Sequence, residues 1–181
     1  MATRQPLRPF QPEPVLEPLQ LEGTADWQAG VLHLAFALAD PGGSVRIPEP
    51  SADPQRRDGL WQSTCMEAFF AVAGAPHYWE LNLAPSGHWN LYRLEAYRQG
   101  LQPEPAISAL PHRLQRSASG LTLELDLPLQ TVLDPCAELE LSLTAVLEHH
   151  GQGCSYWAWD HVADAPDFHQ RGSFQPIPKR K

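Results

Sequence analysis

Between Leu121 and Leu127 every second residue is leucine, with Thr122, Glu124 and Asp126 in the positions between. A strand turns successive side chains to opposite faces, so this spacing makes a ribbon with one apolar and one wet face. The same two-residue period returns at Leu32, Leu34, Phe36 and Leu38, and at Leu139, Leu141, Leu143, Ala145 and Leu147. It returns again at Trp79, Leu81 and Leu83, opposite Tyr78, Glu80 and Asn82. Strands are expected over 31–38, 64–72, 77–84, 88–98, 107–117 with a break at Pro111, 121–127, 138–148 and 154–159. One short helical turn is expected at Pro128–Leu133. No helical period is sustained, and nineteen prolines rule out long helices. The expected fold class is all-β, a two-sheet antiparallel β-sandwich.

A chain of 181 residues points to one domain. The reading is a proline-rich N-terminal arm over 1–20, a single sandwich domain over 21–175 and a basic C-terminal tail over 176–181. Prolines at 6, 9, 12, 14 and 18 make the arm extended, and Val15, Leu16, Leu19 and Leu21 would dock it on the domain edge. Residues 40–59 form a long loop with four prolines, a length often functional.

A net charge of -8 argues against a nucleic-acid partner. No run approaches a membrane span, and the N-terminus carries no legible signal peptide. Cys65, Cys136 and Cys154 form no paired motif, so a reduced, cytoplasmic protein is expected.

Six tryptophans are many for this length. Trp61 and Trp159 flank polar loops, where a rigid amphipathic ring is either core or a platform for a ligand. Glu67 sits inside an apolar strand, so it either pairs with Arg93 or Arg98 or faces a ligand. Glu80 and Asn82 share a strand face, which reads as solvated or as lining a site. His161, Asp167 and His169 form a polar cluster that could meet on a metal, but their spacing matches no strict motif and no metal is expected. Met66 is either a core residue or, with His161, an axial pair for haem. No phosphate-binding loop or nucleophile elbow is present, and nothing sets Glu67 and Glu80 at a productive separation for hydrolysis.

The segments from Leu60 to Phe69, from Tyr78 to Trp89, from Tyr156 to His161 and from Pro166 to His169 together resemble the DOMON-like β-sandwich family, similar to family-9 carbohydrate-binding modules, and within it a small bacterial subgroup. The resemblance spans roughly residues 15–175 and implies two packed antiparallel sheets that bind sugar or haem. It implies Trp61 and Glu67 as the first tryptophan and the glutamate of a sugar site, Trp159 as the second tryptophan, and Arg93 or Arg98 as the arginine.

The resulting expectation is a non-catalytic module for a carbohydrate or similar small polar ligand, using Trp61, Glu67, Arg93 and Trp159 and no cofactor. The alternatives are a haem b domain ligated by Met66 and His161 or His169, a metal-dependent enzyme centred on His161, Asp167 and His169, and a protein-interaction domain without a small-molecule ligand.

Overall fold

In the computed structural model, which describes residues 2–180 and the side chains of residues 2–178, the alternating segments pair into two sheets packed face to face. The thirteen strands are β1 (Thr3–Pro9), β2 (Gln20–Gln28), β3 (Val31–Ala39), β4 (Cys65–Val72), β5 (Tyr78–Leu83), β6 (Trp89–Leu94), β7 (Gln102–Pro103), β8 (His112–Ser117), β9 (Gly120–Pro128), β10 (Leu139–His149), β11 (Gly153–Ala158), β12 (Gln175–Ile177) and β13 (Lys179–Arg180). One sheet runs β2-β3-β9-β8 and the other β7-β6-β5-β4-β10-β11. All pairings are antiparallel except that of β13, which lies parallel to β2. Among the described residues there is no α-helix, only three single turns of 3-10 helix.

The expected N-terminal arm is instead the strand that joins the two sheets. Residues Thr3–Leu7 pair with β2, and Arg8 and Pro9 pair with β11. Each half of β1 is hydrogen-bonded on one side only, so Pro6 and Pro9 sit where a missing N–H leaves no gap in a ladder. Leu7, Leu16, Leu19 and Leu21 are buried, while Val15 is exposed. The expected basic tail also pairs: Gln175–Ile177 adds to β10 and Lys179–Arg180 to β2. Lys181, the last residue of that tail, lies outside the described residues.

The inward faces of both sheets merge into one core that includes Trp27, Leu34, Phe36, Trp79, Leu125, Leu141 and Leu143. Each such side chain contributes roughly 1.5–3 kcal/mol on burial. Two glycines let the backbones approach. A Cβ at Gly120 would lie 1.9 Å from the Leu38 carbonyl oxygen. One at Gly23 would press on Leu143 and Leu7 at 2.8 and 2.9 Å, and on the Trp159 indole nitrogen at 3.1 Å.

One arginine ties the long loop to β6 and to residues 104–107. Arg56 lies over the Trp89 ring at 4.4 Å and donates to Asn90 Oδ1 at 2.8 Å, Leu91 O at 3.2 Å, Glu104 O at 3.1 Å and the Ile107 carbonyl. The segment expected as a strand from Ile107 is thereby held as irregular chain, and β8 begins only after Pro111. The expected helical turn after Pro128 is present as a single turn, with Val132 and Leu133 N–H donating to Leu129 O at 2.9 and 2.7 Å.

Arg56→Ala removes the stacked cation and the side-chain donor shared by Asn90, Leu91, Glu104 and Ile107. It should destabilise the domain by about 2–4 kcal/mol in urea unfolding. A loss under about 0.5 kcal/mol, the range of neutral surface changes, would mean that the loop is held by other contacts.

Candidate functional site

The strands β4, β5 and β6 are covered on both faces. Met66, Ala68 and Phe70 of β4 point into the core between the sheets, with Trp79, Leu81 and Leu83 of β5. The alternate residues Glu67 and Phe69 of β4 and Tyr78, Glu80 and Asn82 of β5 point the other way, yet all are buried. The chain at Leu60–Gln62, residues 95–101 and residues 166–174 lie over this second face, and between them and the sheet is a cavity of about 370 Å³.

Aromatic rings form the rim. Trp61, 39% exposed, stands edge-on to Tyr92 with ring centroids 6.1 Å apart. Its turn starts at Gly59, whose φ of 74° is left-handed. The preceding Asp58 anchors that turn: its Oδ1 accepts from Tyr92 Oη at 2.7 Å and Asn90 Nδ2 at 3.0 Å. Tyr156 and Phe168 line the same cavity, with ring centroids 6.3 Å apart, and Phe168 packs on Phe69 at 6.2 Å.

Asp167 fastens one side. It accepts from Arg98 Nη2 at 2.9 Å, Tyr97 Oη at 2.6 Å, Gln170 Nε2 at 2.8 Å and the His169 backbone N–H at 3.2 Å. Burial would push its carboxyl up, but the donors from Tyr97, Gln170 and Arg98 outweigh it and hold the group at about 2. Arg98 N–H donates to Tyr78 Oη at 3.2 Å, and the same hydroxyl is hydrogen-bonded to His169 Nδ1 at 2.8 Å. His169 Nε2 lies 3.9 Å from Glu80 Oε2. Burial, then the Arg98 charge, lower His169 to about 4, so the ring is neutral at neutral pH.

Two carboxyls form the floor. Glu67 is 2% exposed and Glu80 5%. Glu67 stands opposite Thr144 on one neighbouring strand and Asn82 on the other, and Glu80 is two residues before Asn82. Thr144 Oγ1 donates to Glu67 Oε2 at 3.2 Å, and Asn82 Nδ2 to Glu80 Oε1 at 2.9 Å. Neither carboxyl forms an ion pair with lysine or arginine among the described residues. Burial raises Glu67 well above the usual carboxylate range, and the Glu80 charge adds to this against the Thr144 bond. Burial also raises Glu80, against the Asn82 bond and the Arg98 charge. Asn82 Oδ1 and Ser142 Oγ are buried on this face with no partner among the described residues.

The residues expected at the site separate. Trp61 and Glu67 meet at the cavity, and His169 joins them. Trp159 shares the face of Trp157, is 5% exposed in the core between the sheets, and cannot form a cavity wall. Arg93 lies outside the cavity and pairs with Glu95 at 2.8 Å, while Arg98 lines the cavity. Met66 is buried on the core side of β4, whereas His161 packs on Phe10 and Phe168 beyond the opposite face and its Nε2 donates to Arg8 O at 2.9 Å. The structure therefore does not bring Met66 and His161 together. Asp167 and His169 adjoin, but His161 is turned to Arg8. Tyr156 and Phe168 were not anticipated; the signal for Tyr156 was its alternation with Trp157.

Unfolded Glu67 ionises near about 4.3, whereas the folded carboxyl resists ionisation. Stability from this group is therefore full below the unfolded value and falls as pH rises toward the folded one. Glu67→Gln removes that slope. The variant should melt a few degrees above the parent at pH 7, a gap that closes toward pH 4. Identical melting curves at both pH values would show that the carboxyl ionises freely in the fold.

No protein-family model matches the sequence, and no curated protein matches it. Solved structures do. A candidate carbohydrate-binding protein of Bacteroides uniformis superimposes with a TM-score of 0.76 at 12% identity, over 98% of this chain and 86% of that one. A family-9 carbohydrate-binding module of Caldicellulosiruptor kristjanssonii in complex with cellotriose gives 0.57 at 10% identity, over 99% and 83%. The same organism's family-9 module in complex with glucose gives 0.57 at 11% identity, over 95% and 80%. At these identities the likeness is one of fold: this chain is a two-sheet β-sandwich like those of family-9 modules.

Proposed function

We propose that this domain binds a carbohydrate, without catalysis, in the cavity between Trp61, Tyr156 and Phe168. The observation that carries the reading is an exposed tryptophan at the mouth of a cavity floored by two almost fully buried carboxyls with no cationic partner. Sugar rings have apolar C–H faces that stack on aromatic rings, and hydroxyls that need directed polar partners. Trp61 supplies the stacking surface, with Tyr156 and Phe168 replacing Trp159 in that role. Glu67, Glu80 and the exposed guanidinium of Arg98 supply the polar partners. The family-9 modules of like fold, in complex with cellotriose and glucose, support this choice of ligand class.

Trp61 is 39% exposed and meets Tyr92 in a T-shaped contact, so Trp61→Ala should shift the unfolding transition by less than about 1 kcal/mol. The same change should weaken sugar binding at least about tenfold, as losing one stacking platform costs more than one polar contact. Calorimetric titration with glucose, cellotriose and a panel of hexoses measures it. Equal binding by parent and variant would remove Trp61 from the site.

A further inference from the structure

The charge inventory of the cavity is unbalanced. Two carboxyls, Glu67 of β4 and Glu80 of β5, share its floor as diagonal neighbours, Glu67 opposite Asn82 and Glu80 opposite Phe69. The groups that face them are Cys65 from β4, Thr144 from β10, Tyr78 and Asn82 from β5, Tyr92 from β6, and His169 and Arg98 from the covering segments; burial holds the Cys65 thiol and both tyrosine hydroxyls protonated. Thr144 and Asn82 are neutral. His169 is hydrogen-bonded through Nδ1 to the Tyr78 hydroxyl at 2.8 Å, and its Nε2 stands 3.9 Å from Glu80. Arg98, the permanent cation of the lining, is engaged by Asp167 at 2.9 Å. Glu67 accepts one hydrogen bond, on Oε2, and its other oxygen takes none among the described residues. Above these acids stand the rings of Trp61, Phe69, Tyr156 and Phe168, whose π-faces carry negative potential.

We infer that the cavity selects sugars bearing a positive charge, amino sugars such as D-glucosamine, over neutral and acidic sugars. The inference rests on the carbohydrate reading and names the class within it. An ammonium offers three donors and one positive charge, which match two adjacent acceptor groups that lack a cation. A hydroxyl in its place offers one donor, so a neutral sugar leaves the acids either mutually repelling or protonated. A carboxylated sugar adds a third negative charge to a desolvated site. The aromatic walls favour the cation further. The raised carboxyls add a signature: binding of the ammonium draws Glu67 and Glu80 into their ionised forms and releases protons.

Calorimetric titration with D-glucosamine, D-glucose and D-glucuronate near pH 6.5 tests this, because glucosamine and glucose differ at one ring substituent. Glucosamine should bind at least about tenfold more tightly than glucose. Glucuronate should not bind over the same range, and the heat with glucosamine should change with the ionisation enthalpy of the buffer. The double variant Glu67→Gln, Glu80→Gln should lose the preference while keeping a cooperative unfolding transition; Glu80→Gln alone should weaken it if the double variant does not fold. Glucose binding as tightly as glucosamine overturns the inference and leaves the carbohydrate reading in place. Failure of all three sugars to bind overturns both.

Discussion

Because β4 and β5 are enclosed on both sides, their pleat assigns every side chain to one of two interiors. Met66, Phe70, Trp79 and Leu81 go to the core between the sheets. Glu67, Phe69, Glu80 and Asn82 go to the second interior, under the covering segments. A one-residue slip of register would exchange the two sets and drive two carboxyls into the apolar core. The core therefore fixes the site: the packing that holds Phe70 and Trp79 stacked at 5.6 Å also aims their neighbours outward.

Covering the second face requires segments with little regular structure, and they are held by polar knots. Asp58 ties the Trp61 turn to β6, and Asp167 gathers Arg98, Tyr97 and Gln170. Both carboxylates accept from several donors, which fits their place as structural anchors. Glu67 and Glu80 contrast with them. Each is more deeply buried than Asp167, each takes a single close hydrogen bond, and each is raised. Among carboxyls on the same face, donor supply separates those that hold the fold from those that burden it.

The period of two was legible wherever strands carry large alternating residues. It located β3, β5, β9 and β10 closely, and with β4, a mostly apolar run, the sandwich. It failed on β2, where Gly23 and Ala25 stand at inward positions that would otherwise show leucines. It also failed on β1, where prolines masked a strand that pairs one side at a time. Trp61 and Glu67 were legible because a tryptophan beside a loop and a glutamate inside an apolar run each conflict with their local pattern. Trp159 misled because the chain continues the inward face of Trp157 one step past the end of β11. Arg98 could not be separated from Arg93 by sequence. The choice depends on β6 ending at Leu94 and on the turn that brings Arg98, at a φ of 53°, to Asp167.

The division of labour in the cavity follows from what each group can sense. In the proposed site, stacking on Trp61, Tyr156 or Phe168 would depend on the shape of an apolar face and tolerate many ring substituents. The floor is different, because a carboxyl removed from water responds strongly to the charge placed beside it. A fold under selection for stability alone would replace Glu67 and Glu80 with apolar residues of similar volume, which the surrounding leucine, phenylalanine and valine side chains could accommodate. Their burial without cations is a standing cost. The ligand proposed above would supply the missing donors, and the cavity leaves room for it beside them.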